Sequence, residues 1–126
     1  MLTAGDRVPD FEVTTVDHRS IRYESLWQRR NLLLVSIPAH DPDSPAYISD
    51  LAGHIDELTA HETVCVVTGD AIAGVPRPGV VAADRWGEIH FVAGPASVRD
   101  LPPAAELLEW LRFIQVQCPE CQGEAR

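Results

Sequence analysis

Apolar and polar positions change period several times along this chain, and each change marks an element. Residues 10–16 (Asp10-Phe11-Glu12-Val13-Thr14-Thr15-Val16) alternate and are rich in β-branched side chains, which predicts a strand. Asp17, His18 and Arg19 turn the chain, and residues 20–23 read as the returning strand of a hairpin. Residues 24–28 suit a short helical turn that carries Leu26 and Trp27 inward. Residues 31–38 form an almost unbroken apolar run centred on Leu32-Leu33-Leu34-Val35, the pattern of a strand buried on both faces of a sheet.

A loop at 40–43 then leads to a helix start. Ser44 suits the N-cap and Pro45 the first helical position. Ile48, Leu51, Ala52, Ile55 and Leu58 follow helical spacing, predicting one amphipathic helix. Residues 63–68 (Thr63-Val64-Cys65-Val66-Val67-Thr68) read as a second buried strand, which completes a βαβ unit. After a Gly- and Pro-rich loop, residues 80–83 and 88–92 flank Asp84-Arg85-Trp86-Gly87 as an antiparallel hairpin. A last helix starts near Pro102-Pro103, aligns Leu107, Leu108, Leu111 and Ile114 on one face, and ends before Cys118. This order implies an α/β fold with a mixed central sheet, helices on both faces and an N-terminal β-hairpin.

Composition narrows the chemistry. With 126 residues, 45% hydrophobic and 23% charged, the chain fits one globular domain. We expect that domain over 1–117, with a tail over 118–126. No apolar run approaches the ~20 residues of a membrane helix, and the N-terminus lacks a signal-peptide layout. A soluble cytoplasmic protein with no membrane partner is therefore expected. The net charge of −9 repels a phosphate backbone, so nucleic acid is not an expected partner. All ten basic residues are arginine. Without lysine there can be no Schiff-base lysine, P-loop lysine or kinase strand lysine.

Three segments then converge on one family. Gly5-Asp6-Arg7-Val8-Pro9-Asp10-Phe11 is similar to a Gly-x-x-Ala-Pro-x-Phe opening, and residues 32–39 to the strand before an active-site loop. Residues 78–87 match a Pro-Thr-x-x-x-x-Asp-x-x-Gly hairpin in spacing. In this order they resemble the redoxin branch of the thioredoxin-like superfamily, the alkyl hydroperoxide reductase/thiol-specific antioxidant (peroxiredoxin-like) family. The resemblance implies a thioredoxin-like fold and puts Pro78 on the family's cis-proline beside the active site. It also implies a catalytic cysteine at the start of the helix after the central strand. Here Ser44-Pro45-Ala46-Tyr47 stands at that start, and no cysteine occurs before Cys65.

A serine hydroxyl is far too weak an acid to replace a thiol unless a base activates it, and His40 is the nearest candidate. The plainer reading is a helix cap. Ser44, Tyr47, Arg77 and Pro78 are thus expected to line a retained groove for a protein or peptide partner, without conventional peroxidase or dithiol activity and without a cofactor.

The remaining loaded motif is Cys118-Pro119-Glu120-Cys121. Its spacing suits a redox dithiol acting as a thiol–disulfide oxidoreductase, half of a zinc site shared across a homodimer, or an idle pair. A preceding helix C-terminus, Glu120 and Glu124 all disfavour a thiolate. A helix of about 15 residues spans ~22 Å, which separates this pair from Ser44 and Pro78. His18, His40, His54, His61 and His90 are scattered and supply no spaced ligand pair. Cys65 reads as a buried apolar filler.

Overall fold

The computed structural model describes residues 1–116; Cys118, Cys121 and the rest of the 118–126 tail lie outside the described residues. Strands β1 (Glu12–Thr14) and β2 (Ser20–Arg22) pair antiparallel as the expected N-terminal hairpin. The main sheet contains β3 (Asn31–Ser36), β4 (Thr63–Thr68), β5 (Gly79–Ala83) and β6 (Ile89–Ala93) in the order β4-β3-β5-β6. The β3–β4 pair is parallel, running from Asn31↔Thr63 to Ser36↔Thr68. The β3–β5 and β5–β6 pairs are antiparallel, so the sheet is mixed.

The apolar run at β3 becomes a strand buried at all six positions. Its alternating side chains serve two cores, because successive residues of a strand point to opposite faces. Leu33, Val35 and Ile37 pack with Tyr47, Leu51, Leu58, Leu107, Leu111 and Ile114. Leu32 and Leu34 pack with Val8, Phe11, Val13, Tyr23, Val81 and Ile89 on the other face. The α-helices α1 (Ser44–Ala52), α2 (Ile55–Ala60) and α3 (Ala104–Val116) cover the first face. The N-terminal segment, with its 3₁₀ turn Tyr23–Ser25, covers the second. Among the described residues, no helix is long and apolar enough to cross a membrane.

Local chemistry moves two expected features. The single helix of 44–58 is divided at Gly53 and His54. The His54 imidazole Nδ1 donates to the Asp50 carbonyl at 2.9 Å, competing for a helical acceptor. The break shifts the phase, so Ile55 is 48% exposed while Leu58 stays buried. Trp27 does not point inward. It is 41% exposed and its indole N–H donates to the Trp86 carbonyl at 3.1 Å, an indole taking a partner where its edge is wet.

Side-chain hydrogen bonds tie the layers together. Asn31, fully buried at the start of β3, donates through Nδ2 to Gln115 Oε1 at 2.7 Å and to the His61 carbonyl at 3.1 Å. The hairpin is anchored to β4 by Thr68 Oγ1 donating to the Thr14 carbonyl at 2.7 Å. Asp70 holds the same strand by accepting the Thr14 N–H at 2.9 Å. Gly79 is required by close approach, since a Cβ there would collide with the Pro76 carbonyl oxygen.

Burial sets the first expected outcome. Leu33→Ala empties a site of zero exposure in the three-helix core and should cost about 2–5 kcal/mol in urea unfolding. Ile55→Ala, at an exposed helix position, should change stability by under about 0.5 kcal/mol.

Candidate functional site

The strand β3 delivers the chain to the loop and helix start where the sequence resemblance predicts an active site. After Ile37 the loop folds on itself around one acceptor, the Pro38 carbonyl. It receives the Asp41 N–H at 3.2 Å and the Ser44 hydroxyl at 2.6 Å. The Asp41 carboxylate accepts the Asp43 N–H at 2.9 Å, which tightens the turn into α1.

Ser44 is therefore not the N-cap. Asp43 holds that position without a side-chain cap bond, and Ser44 is the first helical residue. Its side chain turns back toward the Pro38 carbonyl, two residues past the end of β3, where it is a second donor beside the Asp41 N–H and satisfies its own buried hydroxyl. Ser44 is 1% exposed, whereas His40 is exposed, and the Ser44 proton is already committed to Pro38. That arrangement presents no hydroxyl for nucleophilic attack.

Tyr47, one turn later, is also buried. Its hydroxyl donates to the Pro102 carbonyl at 2.6 Å, and burial raises its pKa well beyond that of an ordinary phenol. Three residues on, the Asp50 carboxylate accepts the Ala104 N–H at 2.9 Å, capping α3 from a different helix. Sequence patterning missed this role of Asp50. The available signal was that Tyr47 and Asp50 stand at i, i+3 and share one helix face.

Pro78 and Arg77 complete the expected set. The Arg77–Pro78 peptide is cis. Gly79 pairs with Ser36, so Pro78 continues the ladder level with Ile37, next to the loop that Ser44 closes. Pro78 is buried and Arg77 is exposed. The tertiary structure thus brings Ser44 and Pro78 to one end of the sheet and leaves Arg77 at its surface. Tyr47 is turned inward toward the start of α3. Cys118 and Cys121 lie outside the described residues.

Cys65 is the one cysteine among the described residues. It is partly buried in β4, packs against the three-helix core and borders a cleft of about 230 Å³ with Ile48, Leu51, Ile55 and Val67. Desolvation pushes its thiol up from 9.0 to about 12, which favours the protonated, unreactive form.

No family model and no curated protein sequence matches this chain. Solved structures do. Mycobacterium tuberculosis AhpC aligns over 95% of this chain and 98% of its own, with a TM-score of 0.70 and 15% identity. Reduced 2-Cys peroxiredoxin of Plasmodium vivax aligns over 89% and 81%, with a TM-score of 0.70 and 12% identity. A thioredoxin-family thiol:disulfide interchange protein of Chlorobium tepidum aligns over 91% and 99%, with a TM-score of 0.64 and 13% identity. At these identities the likeness shows fold. The chain has a thioredoxin-like, peroxiredoxin-like fold, as its three sequence segments imply.

The buried hydroxyls and thiol give two expected outcomes. Tyr47→Phe leaves the Pro102 carbonyl short of a donor and should lower stability by about 1 kcal/mol in urea unfolding. For Cys65, the folded thiol keeps its proton to about pH 12 whereas an ordinary one releases it near 9.0. Above pH 9 the unfolded chain therefore binds fewer protons, and stability must fall as pH rises through this window. The fall in urea midpoint between pH 8 and pH 11 should be smaller in Cys65→Ala. Tyr23, raised to about 12 chiefly by burial, adds a loss of the same sign that remains in the variant.

Proposed function

We propose that this chain is an accessory member of the redoxin fold that binds a protein or peptide at the Pro78 end of its sheet and does not turn over peroxides or disulfides there. The observation that carries this reading is the Ser44 hydroxyl, buried and donating to Pro38 at the helix start where a redoxin would carry its thiol. A serine in that state supplies neither a low-pKa nucleophile nor a redox couple.

The binding role draws on the same end of the molecule. In open α/β sheets, ligands settle outside the carboxyl ends of the parallel strands. Here those ends are Ser36 and Thr68, at the far side of the β3–β4 pair. Around them, Ala39 and His40 are exposed on one loop and Arg77 on another. Arg77 offers a planar, permanently charged donor suited to a carboxylate or a peptide carbonyl. Ser44, Tyr47 and Pro78 support that surface from below, so their contribution is positional and the contacts fall to Arg77 and the 39–42 loop.

A second reading places thiol–disulfide exchange at Cys118 and Cys121, on the strength of their C-x-x-C spacing. Both readings meet in one assay of peroxide consumption and of disulfide reduction by the full chain. We expect no rate above the uncatalysed background in either reaction, in wild type and in Ser44→Ala alike. A catalysed rate that disappears in Ser44→Ala or Cys65→Ser would refute the accessory reading. A rate that survives both and disappears in Cys118→Ser would assign the activity to the tail pair. In a separate pull-down with a purified partner, Arg77→Glu should cut retention at least tenfold.

A further inference from the structure

The turn between β5 and β6 gathers three ligand-bearing side chains that the Pro78 end of the sheet does not use. Asp84 leaves the end of β5, Glu88 precedes β6, and His90 is its second residue. One carboxylate oxygen of Asp84, one of Glu88 and one imidazole nitrogen of His90 all lie within 4.8 Å of one another. In sequence the three look unrelated; the hairpin makes them neighbours.

The Asp84 carboxylate is held in place before any cation arrives. It is 6% exposed, and Oδ1 accepts the Trp86 N–H at 2.9 Å and the Glu88 N–H at 3.0 Å. Those two bonds fix the plane of the group and leave Oδ2 facing His90 Nε2 at 3.1 Å. Ligating carboxylates are ordinarily oriented by such second partners. Beneath the turn, Gly87 has a φ of +85°, and a Cβ there would stand 2.9 Å from the Tyr23 hydroxyl. That hydroxyl is itself buried without a hydrogen-bond partner. Substitution at Gly87 would therefore disturb the turn on both counts.

We propose that Asp84, Glu88 and His90 form a binding site for a divalent transition-metal ion, Zn²⁺ being the probe of choice. Donor atoms at ~2.0–2.1 Å from a tetrahedral metal are ~3.3 Å apart, close to the spacing already present between Asp84 and His90. A hydrogen bond between those two accounts for their own contact but not for Glu88, an exposed side chain whose carboxylate lies within 4.8 Å of both. Two carboxylates and an imidazole are a mixed O/N set that suits zinc or manganese, and three protein ligands leave a coordination position for water or an incoming group. Arg7, paired with Glu88 through an isolated backbone β-bridge, and Arg85 within the turn are the nearby cations that would compete for these carboxylates. A bound ion would pin β6 to the turn at the end of the sheet opposite Ser44.

The test uses the full-length chain stripped with chelator, carrying Cys118→Ser and Cys121→Ser so that the thiol pair cannot take the metal. Calorimetric titration with Zn²⁺ should show one ion per chain with a micromolar Kd. Glu88→Gln, at an exposed position that should leave folding intact, and His90→Gln should each weaken binding at least tenfold. Co²⁺ in the same protein should give visible ligand-field bands without a thiolate charge-transfer band. No Zn²⁺ binding in the double-serine chain would overturn the proposal, and so would binding that Glu88→Gln and His90→Gln both leave unchanged.

Discussion

The burial of β3 on both faces is the constraint on which the remaining elements depend. A strand with no exposed position must find a neighbour on each edge for its backbone and a separate apolar layer for each face. The parallel partner β4 and the antiparallel partner β5 satisfy the edges. The faces are covered unequally, by three α-helices on one side and by the N-terminal hairpin with its 3₁₀ turn on the other. Asn31 carries the same logic into its polar contacts: a fully buried amide at the first position of β3 reaches both the end of α3 and the residue after α2. The strand therefore orients the helices as well as the sheet.

Where β3 ends, the same demand for satisfied polar groups shapes the candidate site. The Pro38 carbonyl takes two donors, and one of them is Ser44. The Tyr47 hydroxyl and the Asp50 carboxylate leave α1 for the first residues of α3, so that helix is capped by its neighbour. These bonds make the helix start a structural joint. The surface that remains near Pro78 is formed by loops, where recognition commonly resides on a rigid scaffold.

The two ends of the sheet differ in chemistry. At the Ser44 end, hydroxyls are buried against backbone carbonyls and Arg77 supplies an exposed cation. At the other end, a buried carboxylate organises a tight turn and faces an imidazole and a second carboxylate. About five residues of strand at ~3.3 Å each separate them, so neither end contacts the other directly.

The sequence alone determined the strands and the last helix, because each is written in local periodicity, while the thioredoxin-like fold was implied by the resemblance of three motif segments. The β3 run, the alternation of 10–16 and the Leu107, Leu108, Leu111, Ile114 stripe need no distant information. It also determined that no cysteine stands before Cys65. What it could not determine depended on partners far away in the chain. Whether Ser44 caps a helix or closes a loop is settled by the position of the Pro38 carbonyl, and whether Tyr47 faces a groove or the core by Pro102. The break at Gly53 and His54 turns on competition for one carbonyl. The convergence of Asp84, Glu88 and His90 exists only once β5 and β6 are paired. Periodicity reports which face of an element is buried; only the tertiary structure assigns each buried polar atom its partner.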